Sequence, residues 1–216
     1  MTAVSRLMLV PDAWTRDATS AENDRVQRLE RENEALRSEV ERLTRFRDLA
    51  YRDHLTHTFN RRYLEEKALD YLEGVEPDPC VSLVVLDVDD FKTINDRFGH
   101  DTGDRVLCAV GHVLRREARR NDAVGRWGGD EFYALLPGSS ADGTRAFVDR
   151  LEIALRATVV ESRGGATVRL ACSLGYALAP EDGHTFSDLF ERADDRLYHS
   201  KRRCSVRPGR SRTPDA

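Results

Sequence analysis

The acidic residues with the clearest chemical potential stand at a strand end and beside a tight turn. Asp87, Asp89 and Asp90 follow or interrupt the apolar run VSLVVLDV at 81–88, while Asp130 and Glu131 follow Gly128 and Gly129. Glycines tolerate positive φ and leave the backbone bare, so such a turn lets a ligand come close to the acids behind it. Carboxylates from two neighbouring strands, with Lys92 nearby, form an oxygen-rich set suited to Mg²⁺ and the phosphates of a nucleoside triphosphate. Each part alone has a plainer reading, since an acidic hairpin is often only a solvated turn.

These residues need a scaffold, and the pattern supplies one. VSLVVLDV reads as a strand buried on both faces. Helices are expected over Arg61–Glu73, Thr102–Arg119, 141–159 and Phe186–Arg203, and strands over Glu131–Leu136 and 169–179. GVEPDP at 74–79 breaks the first of these helices. Strands alternating with helices predict an α/β or α+β fold, helices packed over a sheet.

The 216-residue chain has room for one domain of about 150 to 170 residues and an appendage. A formal charge of −4 argues against a general nucleic-acid binder, and no apolar run is long enough to span a bilayer or serve as a secretory signal. A cytoplasmic location with no membrane and no nucleic-acid partner is expected. Cys80, Cys108, Cys172 and Cys204 are widely spaced, as free thiols would be. Residues 1–20 and the tail at 207–216 are expected to be disordered.

The appendage spans 21–50 and lacks Gly and Pro. Val26, Asn33, Val40 and Arg47 fall on heptad a, with Leu29, Leu36, Leu43 and Ala50 on d. β-Branched a with Leu d favours a parallel two-stranded coil, and Asn33 sets its register. Across such a pair Arg25 faces Glu30 and Glu32 faces Arg37, which makes a second copy of the chain the expected partner. The alternatives are a solvated helix packed on its own domain, or a zipper with a basic region, which the non-basic residues before Val26 disfavour.

The motifs RDHLTHTFNRR, DVDDFKTINDRFGHDTGD, RWGGDEF and ADDRLYHSK, spread over 51–206, together resemble the GGDEF-domain diguanylate cyclases, which join two GTP molecules into cyclic di-GMP. The resemblance implies a palm-like central antiparallel sheet with surrounding helices, similar to adenylyl cyclase catalytic cores. It implies two Mg²⁺ or Mn²⁺ ions per active site, held by Asp87, the carbonyl of Val88, Asp130 and Glu131, with Asp130 also helping to activate the attacking 3′-hydroxyl. Lys92 and the amides of 90–92 would hold the triphosphate. Phe91, Gly128, Gly129 and Lys201 would complete substrate binding, with Lys201 on phosphate. Asn95 and Asp104 would read guanine, Asp104 as a buried acceptor for N1–H and the amine. The family active site needs two domains, so the coil would make a working homodimer and could carry a signal from a partner protein.

Arg119 and Asp122 match the family's R-x-x-D product-inhibition site, to which Arg150 of a neighbouring domain could add a contact. A helix end followed by a turn is the plainer account. Two departures stand out. LTHTFNRR carries His57 and Thr58 where the family has Gly and Leu, and SKRRCSV replaces A-K-x-x-G-R-N, with Ser205 at the Arg position and Arg202, Arg203 or Arg207 available to compensate. The competing functional class is a degenerate receptor that binds GTP or cyclic di-GMP without making it.

Overall fold

The computed structural model describes the backbone of residues 12–72 and 80–205, and the side chains of these except 12–21, 24 and 203–205. The expectations for 1–11, for the break at 74–79 and for the tail at 207–216 lie outside the described residues. The chain divides into two compact units, one through Ala50 and one from Tyr51.

Helix α1 covers Asp12–Tyr51. It starts earlier than expected, so 12–20 are helical rather than disordered; DATSAEN and the residues before it contain no Gly or Pro once Pro11 is passed. Its apolar seam is open to solvent in the single chain, Leu36 being 66% exposed and Val40 61%. One of the charges expected to pair across the coil is also used within the helix, Glu32 taking Arg28 at 3.0 Å, and Glu39 takes Arg42 at 2.6 Å.

In the second unit, β1 (Phe59–Asn60) leads into α2 (Arg61–Leu72), β2 (Val81–Val88), α3 (Phe91–Phe98) and α4 (His100–Glu117). Then come β3 (Ala123–Gly128), β4 (Glu131–Pro137), α5 (Ala141–Ala157), the short pair β5 (Val159–Glu161) and β6 (Thr167–Arg169), β7 (Cys172–Ala179) and α6 (Phe186–Ser205). The main sheet runs β1-β3-β4-β2-β7. Its four long strands are antiparallel, but β1 lies parallel to β3, so the sheet is mixed rather than wholly antiparallel. The link from β1 back to β3 carries three helices and a strand, long enough for the crossover that parallel pairing needs.

β2 sits centrally, which is why it is apolar along its length and buried throughout. Its side chains alternate between two cores. Val84, Leu86 and Val88 join Val106, Val110, Leu151 and Leu155 of α4 and α5. Leu83 and Val85 join Leu64 of α2 and Leu189, Ala193 and Leu197 of α6. The period of two therefore places Asp87 on the α6 side of the sheet.

Helix α3 was not expected. Eight residues are too few to hold a helix by local propensity, and this one is carried by Phe91, Ile94 and Phe98, which pack on the first core. Gly99, at φ 85°, breaks it from α4. α4 accordingly opens at His100 rather than Thr102, and it closes at Glu117 rather than Arg119, because the Asp122 carboxylate accepts the Arg119 N–H at 2.6 Å and draws the chain into a turn. The strand expected at 169–179 starts at Cys172, since Thr167–Arg169 pairs with β5 instead. His57 has φ 56°, so the family glycine position does call for the left-handed region here, and its side chain stays exposed. Among the described side chains Cys80, Cys108 and Cys172 are free thiols; Cys204 lies outside them. No helix among the described residues is long and apolar enough to cross a membrane.

Candidate active site

The antiparallel register sets Asp87 of β2 directly opposite Glu131 of β4. The Val88 N–H donates to the Asp130 carbonyl at 3.3 Å, which continues the ladder to the glycine turn. Gly129 has φ 54°, and a side chain at either Gly128 or Gly129 would meet nothing within 4 Å, so the turn is open to an approaching ligand. Arg126 of β3 holds it from beside: its Nε donates to the Gly129 carbonyl at 2.8 Å, and its Nη1 reaches both carboxylate oxygens of Asp53 at 3.4 Å. Between this turn and α2 runs a groove of about 510 Å³, where the Arg61 guanidinium lies 4.4 Å from the centroid of Trp127.

The acids are electrostatically crowded. Burial pushes the Asp87 carboxyl up, and the charges of Asp130 and Asp89 add to this, against Lys201, whose ammonium lies 2.9 Å from Asp87 Oδ1. Burial likewise raises Glu131, with further repulsion from Asp87 and Asp130. Both carboxyls would gain from a cation. The donors are all oxygen, as Mg²⁺ or Mn²⁺ requires, and the residues present fit such an ion. Among the described residues no three His, Cys, Asp or Glu side chains form a cage by themselves, which suits a site whose remaining ligands come from substrate phosphate and water. Lys201 was expected on phosphate; here it comes from α6 to the same face of the sheet and neutralises Asp87. Arg202 packs over the Tyr198 ring at 5.8 Å, and Arg203 and Arg207 lie outside the described side chains.

The positions expected to read the base and hold phosphate gather on α3 and α4. Phe91 and Lys92 open α3, with Asp90 at its N-cap in the left-handed conformation (φ 55°) and making no side-chain capping bond. Lys92 is exposed. The amides of this first turn are of the kind that favours an anion. Asn95 lies one turn on, and its Oδ1 is sealed from solvent without a hydrogen-bond partner. Asp104, on the first turns of α4, is exposed rather than buried. The expected burial of that acid is not found, since among the described residues nothing covers it.

The Arg119–Asp122 turn stands apart, between α4 and β3. The two residues are tied to each other through Asp122 and the Arg119 backbone. Arg150 of α5 belongs to the same chain's end of α4: its Nε lies 3.6 Å from Glu117 Oε2, and its Nη2 donates to the Glu117 carbonyl at 3.3 Å.

Several supporting residues escaped the sequence. Arg126 and Asp53 stand inside motifs that were legible, but nothing local says that they meet across 73 positions. Ser173, whose hydroxyl donates to Asp89 Oδ1 at 2.7 Å, carries no such signal.

Residues 50–206, more than half of the chain, match the family model "Diguanylate cyclase, GGDEF domain". The chain is 36% identical over 184 residues to the diguanylate cyclase DgcP of Pseudomonas aeruginosa, a match covering 83% of this chain and 26% of that protein. The first curated relatives are much longer, and the chain spans under half of their length. Among solved structures it is similar to the coiled coil and GGDEF domain of DgcB from Caulobacter crescentus, in complex with c-di-GMP, with TM-score 0.68 and 29% identity over 84% of this chain and 95% of that one. It is also similar to the diguanylate cyclase SiaD of P. aeruginosa in complex with its activator SiaC, with TM-score 0.66 and 31% identity over 88% and 76% of the two chains.

Proposed function

This chain belongs to the GGDEF family of diguanylate cyclases, and from that premise we propose that it condenses two GTP molecules into cyclic di-GMP and diphosphate as a homodimer. The observation that carries the reading is the facing pair Asp87 and Glu131 beside an open glycine turn, both carboxyls raised by burial and by the charges of neighbouring acids. A receptor that had lost its chemistry would have no need to keep two acids so crowded.

In this reading each domain binds one GTP. The amides of 90–92, Lys92 and Lys201 hold the triphosphate, and Lys201 exchanges Asp87 for phosphate when nucleotide arrives. Phe91 and the bare backbone of Gly128 and Gly129 let the nucleotide lie close. Asn95 and Asp104 read the base. When bound, two Mg²⁺ or Mn²⁺ ions would supply Lewis-acid stabilisation of the reacting phosphate, with Asp87, the Val88 carbonyl, Asp130 and Glu131 as their protein ligands. Asp130 accepts the proton as the 3′-oxygen of one GTP forms a bond to the α-phosphorus of the other. The bond from that phosphorus to the β-phosphate bridge breaks, and diphosphate leaves. The same exchange in the opposite sense closes the ring.

The open seam of α1, with Asn33 among its core positions, supports a parallel coil of two copies that concentrates the catalytic domains at 51–206. It is also the natural surface for a signalling partner. Arg119 and Asp122, with Arg150 beside the same helix end, would hold product and slow synthesis. The decisive experiment is to incubate the purified chain with GTP and Mg²⁺ and look for cyclic di-GMP by mass. Product that rises with dimer concentration supports the proposal; GTP binding with no product at any concentration replaces it with a receptor.

A further inference from the structure

Gly103 is buried in the second turn of α4, one residue before Asp104. Glycine inside a helix is a poor choice by propensity, so some neighbour must need the space. That neighbour is the Asn95 side chain. A methyl group at 103 would overlap Asn95 Oδ1, lie 3.0 Å from its Cγ, and come within 3.3 Å of Phe91 Cζ. The conflict is with the tip of one flexible side chain and with the edge of a ring, not with backbone.

The same oxygen is the orphan already described, sealed from solvent and without a donor. A buried acceptor in that state is costly and gains from any N–H brought to it. Guanine offers such donors at N1 and at the exocyclic amine, and inosine lacks the amine. We infer that Gly103 is a specificity-determining positioning residue: the missing side chain seats the Asn95 amide beside Asp104, so that the two together select the 2-amino group of the base. This rests on the reading of Asn95 as a guanine contact.

The consequence is unusual for a buried glycine. Gly103→Ala should fold at least as stably as the parent, because alanine favours the helix and the amide can swing away. It should bind guanine nucleotide less well, because the seat is lost.

The test measures thermal midpoint and the affinities of α,β-methylene GTP and α,β-methylene ITP, which cannot release diphosphate, for the parent, Asn95→Ala, Gly103→Ala and the double variant. The expected result is a parent preference for the guanine analogue of about tenfold or more, the worth of a hydrogen bond lost with its partner left unpaired. In Gly103→Ala that preference should fall to the value Asn95→Ala shows, the remainder being held by Asp104, with no fall in midpoint, and the double variant should bind as Asn95→Ala does. Unchanged preference in Gly103→Ala overturns the inference. So does a double variant weaker than Asn95→Ala by the factor that Gly103→Ala shows alone, since glycine would then act on something else. A Gly103→Ala chain that fails to fold overturns it too, for its premise is that the amide gives way. If the parent itself does not distinguish the two analogues, or Asn95→Ala changes neither affinity, the assignment of Asn95 to the base fails instead.

Discussion

Removing Arg126 should weaken the catalytic unit far more than the loss of an ordinary surface arginine. Its side chain and that of Asp53 are each 14% exposed, and it makes two separate contacts. The first is the charge-assisted bond to the Gly129 carbonyl, worth about 1.5 kcal/mol at the low end for such bonds. The second is the pairing with Asp53, which in Arg126→Ala would be left mostly buried with its charge uncompensated. Breaking a fully buried pair costs about 3 to 5 kcal/mol, but Asp53 retains the Thr56 N–H at 2.8 Å and the Thr56 hydroxyl at 2.7 Å, so about 1.5 kcal/mol is the better figure. The sum is about 3 kcal/mol, and with a urea slope of about 2 kcal/mol per molar the midpoint should fall by about 1.5 M.

The pH dependence gives a second check on the same pair. Burial alone would raise the Asp53 carboxyl; the Thr56 hydrogen bonds and the Arg126 charge outweigh it and hold the folded value below the usual carboxylate range. A depressed carboxyl stabilises the fold above its unfolded pKa of about 3.9, and the contribution fades as pH falls through the folded value. The gap between parent and Arg126→Ala should therefore be full near neutrality and narrow in acid. Urea titrations at neutral pH and at about pH 3 would measure both. A neutral-pH midpoint shift under about 0.3 M, or a gap that widens in acid, would refute the reasoning.

Other expectations are simpler to state. Leu36→Pro, which costs the α1 helix about 3 kcal/mol or more, should yield monomers on light scattering and no cyclic di-GMP while GTP binding persists; a fully active monomer would disprove the role given to the coil. Asp104→Ser should leave stability within about 0.5 kcal/mol, since the acid is exposed, yet reduce the preference for GTP over ATP in competition binding. Arg119→Ala should raise the cyclic di-GMP concentration that halves the initial rate, with the uninhibited rate as the control. Gly175→Ala should lower the thermal midpoint by an amount equivalent to about 2 kcal/mol or more. There a methyl group meets the Ala193 carbonyl and the Leu197 backbone of α6, which cannot swing aside as Asn95 can.

The sequence alone determined the parts whose cause is local. A continuous apolar run made β2 a buried strand, the glycine pair made a turn, helical periodicity made α5 and α6, and the spacing of Val26 to Ala50 put an apolar stripe on α1. The identities of the acids were legible for the same reason, since strand ends and turns are written in neighbouring residues. The tertiary structure decided which of them meet. Asp87 faces Glu131 because of the β2–β4 register, and it meets Lys201 because strand parity turns it toward α6. Asp53 finds Arg126 across a long stretch of chain, and α3 exists because a core lies beneath it. The exposure of Asp104 and the parallel placement of β1 likewise came from packing. Local propensity fixes a residue's backbone state within a few positions; register and burial are settled only when distant segments share one core, and the active site is assembled from those distant meetings.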